Sequence, residues 1–239
     1  LEGASEPTVS TYHSYSNTLV KYYGLRLGIE QDAQMLGDAQ AWQLVAQIVQ
    51  YWDGELPQGG KGEAASKTYL VKQVLKLAGE CAEHLGAPQT VIEFCTAQIA
   101  AYESLSTPGP RKTANDTLRQ LQTKIILARM VQRYARVKAR MQVLDYGDLI
   151  ALAARIARDV PQAVQLERER YKVVLLDEFQ DTSHAQLQLF SDLFGTRAAE
   201  GEHPGYGEHP VMEVGDPKQS IYGFRGASDG QLFSFYRYF

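Results

Sequence analysis

The residues best suited to chemistry in this chain are two adjacent carboxylates, Asp177 and Glu178, which follow an apolar run from Val173 to Leu176. Such a run is typical of a parallel strand that helices cover on both faces. Because ligands of open α/β sheets bind beyond the carboxyl ends of the strands, the two acids are expected at a nucleotide site. Asp177 is then the candidate ligand of a Mg²⁺ ion held against phosphates. Glu178 is the candidate group that orients or deprotonates a water attacking a γ-phosphate.

A structural interpretation of the same acids is equally consistent with this stretch alone. Acidic side chains favour helix N-termini, and Ser183 with Gln186 predicts a capping box a few residues later. The stretch from Val211 to Ala227, VMEVGDPKQSIYGFRGA, favours the catalytic interpretation. It begins as a second short apolar strand and continues into a turn where Pro217 suits a first helical position.

An aromatic residue and a histidine stand together near the start of the chain. Thr8 to Tyr12 is predicted to form a short strand, and His13 comes directly after it. Tyr12 can stack on the bases of single-stranded DNA while His13 hydrogen-bonds to it. The alternative is that Tyr12 belongs to the core and that His13 is buried and hydrogen-bonded.

These motifs resemble those of the UvrD/Rep-type superfamily 1 DNA helicases. Lys172 to Thr182, KVVLLDEFQDT, is similar to their Walker B motif with its DE-x-QDT pattern, and Val211 to Ala227 is similar to the following motif, GD-x-x-QSIY-x-x-RGA. Thr8 to Gly24 resembles the segment after the first DNA-contacting motif, with Tyr12 where relatives usually carry Phe. Val143 to Ile150 resembles the D-F-x-D-L element that leads back from a helical insertion.

The resemblance implies a helix-rich α/β fold. A partial RecA-like P-loop NTPase domain, built on a parallel sheet, would be interrupted by an all-α insertion subdomain. The expected boundaries are 1–28 for the first part of the motor domain, 29–140 for the insertion and 141–239 for the second part of the motor domain.

The same resemblance implies an ATP-driven translocase that moves on single-stranded DNA and separates duplex DNA in repair or recombination. The implied cofactors are ATP and Mg²⁺. The implied partners are single-stranded and duplex DNA, the rest of the helicase chain, and repair or recombination proteins. Carried over position by position, the roles are Mg²⁺ binding for Asp177, the attacking water for Glu178 and γ-phosphate sensing for Gln219. The expected DNA contacts are His13, Tyr222, Phe224 and Arg225.

A phosphate-binding loop is missing from these 239 residues. The Gly60-Lys61 pair lacks the G-x-x-x-x-G-K-[ST] spacing and has no strand before it. The arginine-bearing motifs of a second motor domain are missing as well. We therefore expect a piece of a helicase that hydrolyses no ATP by itself, its Walker A segment and second motor domain belonging to the rest of the parent chain.

The middle of the chain is predicted to be helical. Asp38 is expected to cap a helix whose apolar face carries Trp42, Val45, Val49 and Trp52, with both tryptophans in the core. Helices are also predicted over 64–85, over 88–105 and from Thr113 onward. The last one carries a basic cluster that suits either phosphate tracking or a solvated face: Lys124, Arg129, Arg133, Arg136, Lys138 and Arg140.

Two sets of residues could bind a metal, but the pattern around each favours a purely structural role. Asp145 and Asp148 form a possible metal pair, although Asp148 just before an apolar helical pattern favours helix capping. Two Glu-His-Pro units, at 202–204 and 208–210, lie in a polar stretch that favours a loop over a metal site.

Composition describes an ordinary globular chain, with 44% hydrophobic and 22% charged residues and a formal net charge of −4. A DNA surface must then be a local basic patch. Two cysteines are too few for a disulfide framework, and the absence of a long apolar run predicts a cytoplasmic protein without a membrane span. Two other classes stay open: a non-catalytic helicase-like DNA-binding or assembly subunit, and a Walker-type ATPase that acts on something other than nucleic acid.

Overall fold

The computed structural model describes residues 6–30, 33–58, 64–104, 111–195, 209–220 and 235–239, with the side chains of 111–113 left aside. The chain divides into two compact units, Leu1–Ala33 with Asp148–Phe239, and Gln34–Gly147. Among the described helices, none is long and apolar enough to cross a membrane. The helices are α1 Tyr12–Tyr23, α2 Asp38–Gln50, α3 Lys67–Glu83, α4 Pro88–Glu103, α5 Arg111–Met141, α6 Tyr146–Asp159, α7 Pro161–Arg170 and α8 His184–Phe194. The strands are β1 Gln34–Met35, β2 Val143–Leu144, β3 Val174–Leu176 and β4 Val211–Glu213.

The unit Gln34–Gly147 is built from α2, α3, α4 and α5, with a short parallel pair of β1 and β2. Apolar residues at helical spacing on α2, α3 and α5 meet in one core. Val45, Val71 and Met130 there are fully buried. The prediction that Trp42 belongs to this core was wrong. It is the fifth residue of α2, at the N-terminal end of the apolar stripe, and is 39% exposed. Trp52 does pack against the core.

Helix capping differs from the prediction at two aspartates, Asp38 in this unit and Asp148 in the other. Gly37, not Asp38, is the N-cap of α2, and the Gln40 side chain accepts a hydrogen bond from its N–H at 3.0 Å. Asp148 lies inside the first turn of α6 and not before it, because the helix already begins at Tyr146. Sequence pattern marks the start of a helix only to within a residue or two.

The basic cluster on α5 is not one continuous charged surface. Lys138 is buried, and its Nζ donates to Asp145 Oδ2 at 2.6 Å. The Tyr134 hydroxyl donates to the same oxygen at 2.9 Å. Asp145 thus forms a partly buried ion pair with Lys138. No group of three or more His, Cys, Asp or Glu residues able to hold a metal occurs among the residues described. The arginines Arg129, Arg136 and Arg140 are exposed, so the phosphate interpretation stays a prediction for them.

The other unit contains α1, α7, α8 and the parallel pair of β3 and β4, in which Leu175 lies beside Met212. Both strands and their parallel direction confirm the prediction of a helix-rich α/β fold. The prediction that helices cover both faces of β3 was wrong for the described residues. Side chains alternate between the faces of a strand, so Leu176 is 4% exposed while Leu175 is 66% exposed.

The strand predicted for Thr8 to Tyr12 was also wrong. Residues 6–10 lie in no strand, and α1 begins at Tyr12. The Thr11 hydroxyl accepts a hydrogen bond from the Ser14 N–H at 3.2 Å, so Thr11 is a side-chain N-cap. A capping threonine outweighs the β-propensity of the alternating Thr and Val residues before it.

Candidate nucleotide site

The two carboxylates lie at the carboxyl end of β3, where the backbone turns sharply. Glu178 has φ 52° and ψ 38°, in the left-handed region that is unfavourable by about 1–2 kcal/mol for a residue other than glycine. Asp177 Oδ1 accepts a hydrogen bond from the Glu178 N–H at 2.9 Å, which supports this conformation. Both side chains are exposed, so the turn presents them to solvent beyond the end of the strand.

Backbone hydrogen bonds hold this turn against the end of β4. The Val214 N–H donates to the Leu176 carbonyl at 2.8 Å, and the Phe179 N–H donates to the Val214 carbonyl at 3.0 Å. Phe179 is fully buried directly after Glu178. The left-handed residue is therefore fixed from both sides, as is common where a strained backbone conformation is kept at a site.

The turn after β4 faces the same end of the sheet. Asp216 caps a short 3-10 helix, Pro217–Gln219, in which Pro217 takes the first position as predicted. The two oxygens of the Asp216 carboxylate have different partners: Oδ1 accepts from the Lys218 N–H at 2.9 Å, and Oδ2 accepts from Gln219 Nε2 at 3.0 Å. Gln219 is exposed but is held in place by this bond.

A glutamine that sequence reasoning quoted without giving it a role connects the two turns. Gln180 Nε2 donates to Glu178 Oε2 at 2.6 Å, and the Asp216 N–H donates to Gln180 Oε1 at 3.0 Å. Gln180 is itself 1% exposed, so this amide links the two turns from a buried position. Asp177, Glu178 and Gln219 are thereby brought to the ends of two neighbouring parallel strands, which is where an open α/β sheet binds its ligand.

The whole chain, residues 1–239, matches the family described as the UvrD/REP helicase N-terminal domain. This chain belongs to that family. It is 38% identical over 111 residues to "ATP-dependent DNA helicase UvrD1" of Mycobacterium tuberculosis, which covers 46% of this chain and 14% of that protein. It is 29% identical over 222 residues to "RecBCD enzyme subunit RecB" of the same species, covering 92% of this chain and 17% of that protein.

A further relative, "ATP-dependent DNA helicase PcrA" of Staphylococcus epidermidis, is 30% identical over 135 residues, covering 55% of this chain and 16% of that protein. The matched region is thus less than a fifth of the length of each of these three relatives.

In this UvrD/REP domain, the start of α1 contacts the carboxylate turn through Tyr12. Its hydroxyl donates to the Asp177 carbonyl at 3.2 Å and lies 3.3 Å from Thr182 Oγ1. The ring packs edge-on against Phe190, with centroids 5.4 Å apart. Burial raises the pKa of the Tyr12 hydroxyl, the bond to Thr182 lowers it, and the charge of Asp177 raises it. His13 beside it is exposed, so the alternative of a buried histidine was wrong, and its DNA contact stays a prediction.

A buried carboxylate that the sequence did not single out anchors α1 to α7. Glu167 is 2% exposed and accepts from the Tyr15 hydroxyl at 2.8 Å and from the Tyr23 hydroxyl at 2.9 Å. Nη1 of Arg170 lies 3.7 Å from Oε1 of Glu167. Burial and the bond to Glu167 raise the pKa of Tyr23 to about 12. Glu167 belongs to the charged run Glu-Arg-Glu-Arg, a pattern typical of a solvated surface. Its buried role follows only from the contacts with the two tyrosines, which the sequence does not show.

We expect Glu167→Ala to lower the free energy of unfolding of this chain by about 3 kcal/mol, because it leaves two phenol hydroxyls without their acceptor, each at about 1–3 kcal/mol. Urea unfolding followed by circular dichroism measures the change. The control is Glu169→Ala on the same helix, whose exposed carboxylate accepts a hydrogen bond from Gln165 at 3.0 Å. Equal effects of the two substitutions would show that the Glu167 cluster does not anchor α1.

The remaining predicted DNA contacts, Tyr222, Phe224 and Arg225, lie outside the described residues. The same holds for the first Glu-His-Pro unit and for Glu208. His209 is described: its ring stacks on Phe194 with centroids 4.9 Å apart, and burial lowers its pKa.

Proposed function

We propose that this domain is part of an ATP-dependent DNA helicase that moves on single-stranded DNA and unwinds duplex DNA in repair or recombination. The observation that carries the proposal is the meeting of Asp177, Glu178 and Gln219 at the carboxyl ends of two adjacent parallel strands. The names of the UvrD1 and PcrA relatives support it. The name of the RecB relative, a subunit of a RecBCD enzyme, supports repair or recombination proteins as further partners.

In this proposal, β3 and β4 belong to a RecA-like motor domain, and the helices of the other unit are its insertion. The proposed boundaries are 1–28 and 141–239 for the motor domain and 29–140 for the insertion. The remainder of the parent chain supplies the Walker A segment and a second motor domain, since the short sheet described here presents only part of a nucleotide site.

The carboxylates fit the proposed cofactors, ATP and Mg²⁺. A hard cation takes oxygen ligands, and Asp177 offers an exposed carboxylate at the end of β3. When bound with ATP, Mg²⁺ neutralises negative charge on the phosphates. Asp177 would hold it there through a carboxylate oxygen.

Glu178 is proposed to orient the attacking water and to accept its proton. Its side chain is exposed at the turn, while Gln180 fixes one of its oxygens. A base held within hydrogen-bond reach of the water is the geometric requirement for general-base catalysis. Gln219, tied to Asp216, is proposed to contact the γ-phosphate and to move when that phosphate leaves.

DNA binding is proposed for His13 and for Tyr222, Phe224 and Arg225. His13 is exposed on the first turn of α1, and the neighbouring Tyr12 contacts the Asp177 backbone. The other three follow Gln219 within six residues. A shift of Gln219 would therefore be passed directly to side chains that meet DNA bases.

We expect these 239 residues alone to release phosphate from ATP at the background rate, with or without single-stranded DNA, because they contain no phosphate-binding loop. The parent protein is expected to hydrolyse ATP and to do so faster with single-stranded DNA. A coupled phosphate assay on both proteins measures this. DNA-stimulated hydrolysis by the chain alone would contradict the division of the site, and no DNA stimulation in the parent would contradict the proposed function.

A further inference from the structure

The buried side chain of Gln180 has contacts that reach beyond its own turn. Its Nε2 donates to Glu178 Oε2 at 2.6 Å, and its Oε1 accepts from the Asp216 N–H at 3.0 Å. The Ser220 hydroxyl also donates to the Gln180 backbone carbonyl at 3.3 Å. One residue thus contacts the exposed carboxylate at the end of β3 and both ends of the 3-10 turn after β4.

The chemistry of the two partners fixes the orientation of this amide. An ionised carboxylate only accepts hydrogen bonds, so the NH₂ group must face Glu178. A backbone N–H only donates, so the amide oxygen must face Asp216. In the reversed orientation the amide oxygen would face the Glu178 carboxylate, and the amide NH₂ would face the Asp216 N–H, so neither hydrogen bond could form. The side chain therefore has one stable orientation between the two turns.

An apolar side chain of similar length would fill the same space without the desolvation of a buried amide. The amide instead forms a bond to a carboxylate, and hydrogen bonds to charged groups are about twice as strong as neutral ones. Glu178 has in addition a left-handed backbone at φ 52°, so the direction of its side chain depends on what holds it. Gln180 is the residue that holds it within the described part of the chain.

We infer that Gln180 is a positioning residue for Glu178, which couples the placement of this carboxylate to the turn that carries Gln219. When the Pro217–Gln219 turn moves, the Asp216 N–H moves the amide of Gln180, and the amide moves the carboxylate of Glu178. The inference rests on the proposed function, because it assigns the moved carboxylate to ATP hydrolysis.

Gln180→Met removes both side-chain bonds and keeps the length of a buried side chain. We expect it to lower kcat for ATP hydrolysis by the parent protein about 10- to 100-fold, since a misplacement of about 1 Å costs about 10²-fold. KM for ATP should stay within about twofold, because Gln180 contacts neither Asp177 nor the proposed phosphate contacts. Gln188→Met is the control, since that side chain on α8 donates to Asp192 at 3.0 Å and to neither of the two turns within the described residues.

A double-mutant cycle with Glu178→Gln separates positioning from a general loss of structure. If Gln180 acts through the carboxylate, Gln180→Met should slow hydrolysis by less than about twofold once that carboxylate is gone. Thermal melting of all variants of the parent protein checks that they are folded. If Gln180→Met does not fold, the same cycle is run with Gln180→Glu, which keeps an acceptor for the Asp216 N–H but places a second carboxylate beside Glu178.

The results distinguish the inference from the proposed function. An equal fold-loss from the Gln180 substitution in both backgrounds, or an unchanged kcat with intact Glu178, would overturn the positioning role. Unchanged hydrolysis in Glu178→Gln alone would overturn the proposed function itself. We expect the Gln180 substitution to slow hydrolysis when Glu178 is intact and to have almost no further effect in the Glu178→Gln variant.

Discussion

Glu178→Gln in the parent protein is expected to slow ATP hydrolysis about 10²- to 10⁴-fold, the usual effect of losing a general base. Glutamine has nearly the same shape but accepts no proton. Nucleotide binding should persist, because the proposed Mg²⁺ contact of Asp177 remains. Single-turnover phosphate release measures the rate, and a fluorescent ATP analogue measures the affinity.

Asp177→Ala is the matched comparison, because it removes the neighbouring carboxylate on the same turn. It is expected to weaken Mg²⁺-dependent nucleotide binding, whereas Glu178→Gln leaves the affinity almost unchanged. Titrating the analogue with and without Mg²⁺ distinguishes the two. Equal effects on nucleotide affinity would contradict the division of roles between Asp177 and Glu178.

Phe224→Ala in the parent protein is expected to weaken binding to single-stranded DNA roughly 5- to 150-fold, since stacking of a base on an aromatic ring contributes about 1–3 kcal/mol. DNA-stimulated hydrolysis and unwinding should fall with it. Hydrolysis without DNA should stay near its starting value. Fluorescence anisotropy with a labelled oligonucleotide measures the affinity.

The control for this substitution is Phe94→Ala, which removes an exposed aromatic ring, 61% accessible, from α4 in the unit Gln34–Gly147. We expect it to leave the affinity for single-stranded DNA unchanged. Thermal melting then separates stacking from a core role. A large loss of folding stability in Phe224→Ala, with normal DNA affinity of the molecules that remain folded, would rule out stacking.

Local signals predicted much of the framework. β3 and β4 are short apolar runs ended by polar turns, and the capping box of Ser183 and Gln186 is a pairing three residues apart that the structure confirms, with the Ser183 N–H 2.9 Å from Gln186 Oε1. The helices of the unit Gln34–Gly147 follow from apolar periodicity and from the Gly and Pro residues between them. Each of these features depends on neighbours in sequence, which a single chain displays directly.

Long-range contacts explain what the sequence could not predict. Gln180 meets Asp216 across 36 positions, Tyr15 meets Glu167 across 152 and Tyr12 meets Asp177 across 165. The local sequence around these residues does not predict the three contacts, because each contact depends on how α1 and the strand ends pack together. The exposed face of β3 was missed for the same reason: an apolar run predicts a strand but not what packs on each side of it.

A crystal structure of the parent protein with ADP, aluminium fluoride and Mg²⁺ tests the central claim most directly. We expect the aluminium fluoride at the carboxyl ends of β3 and β4, with Mg²⁺ on the side of Asp177. A water should lie between Glu178 and the fluoride, about 3 Å from the carboxylate, and Gln219 should reach the fluoride. Aluminium fluoride bound away from these strand ends, or Glu178 turned away from it, would contradict the account.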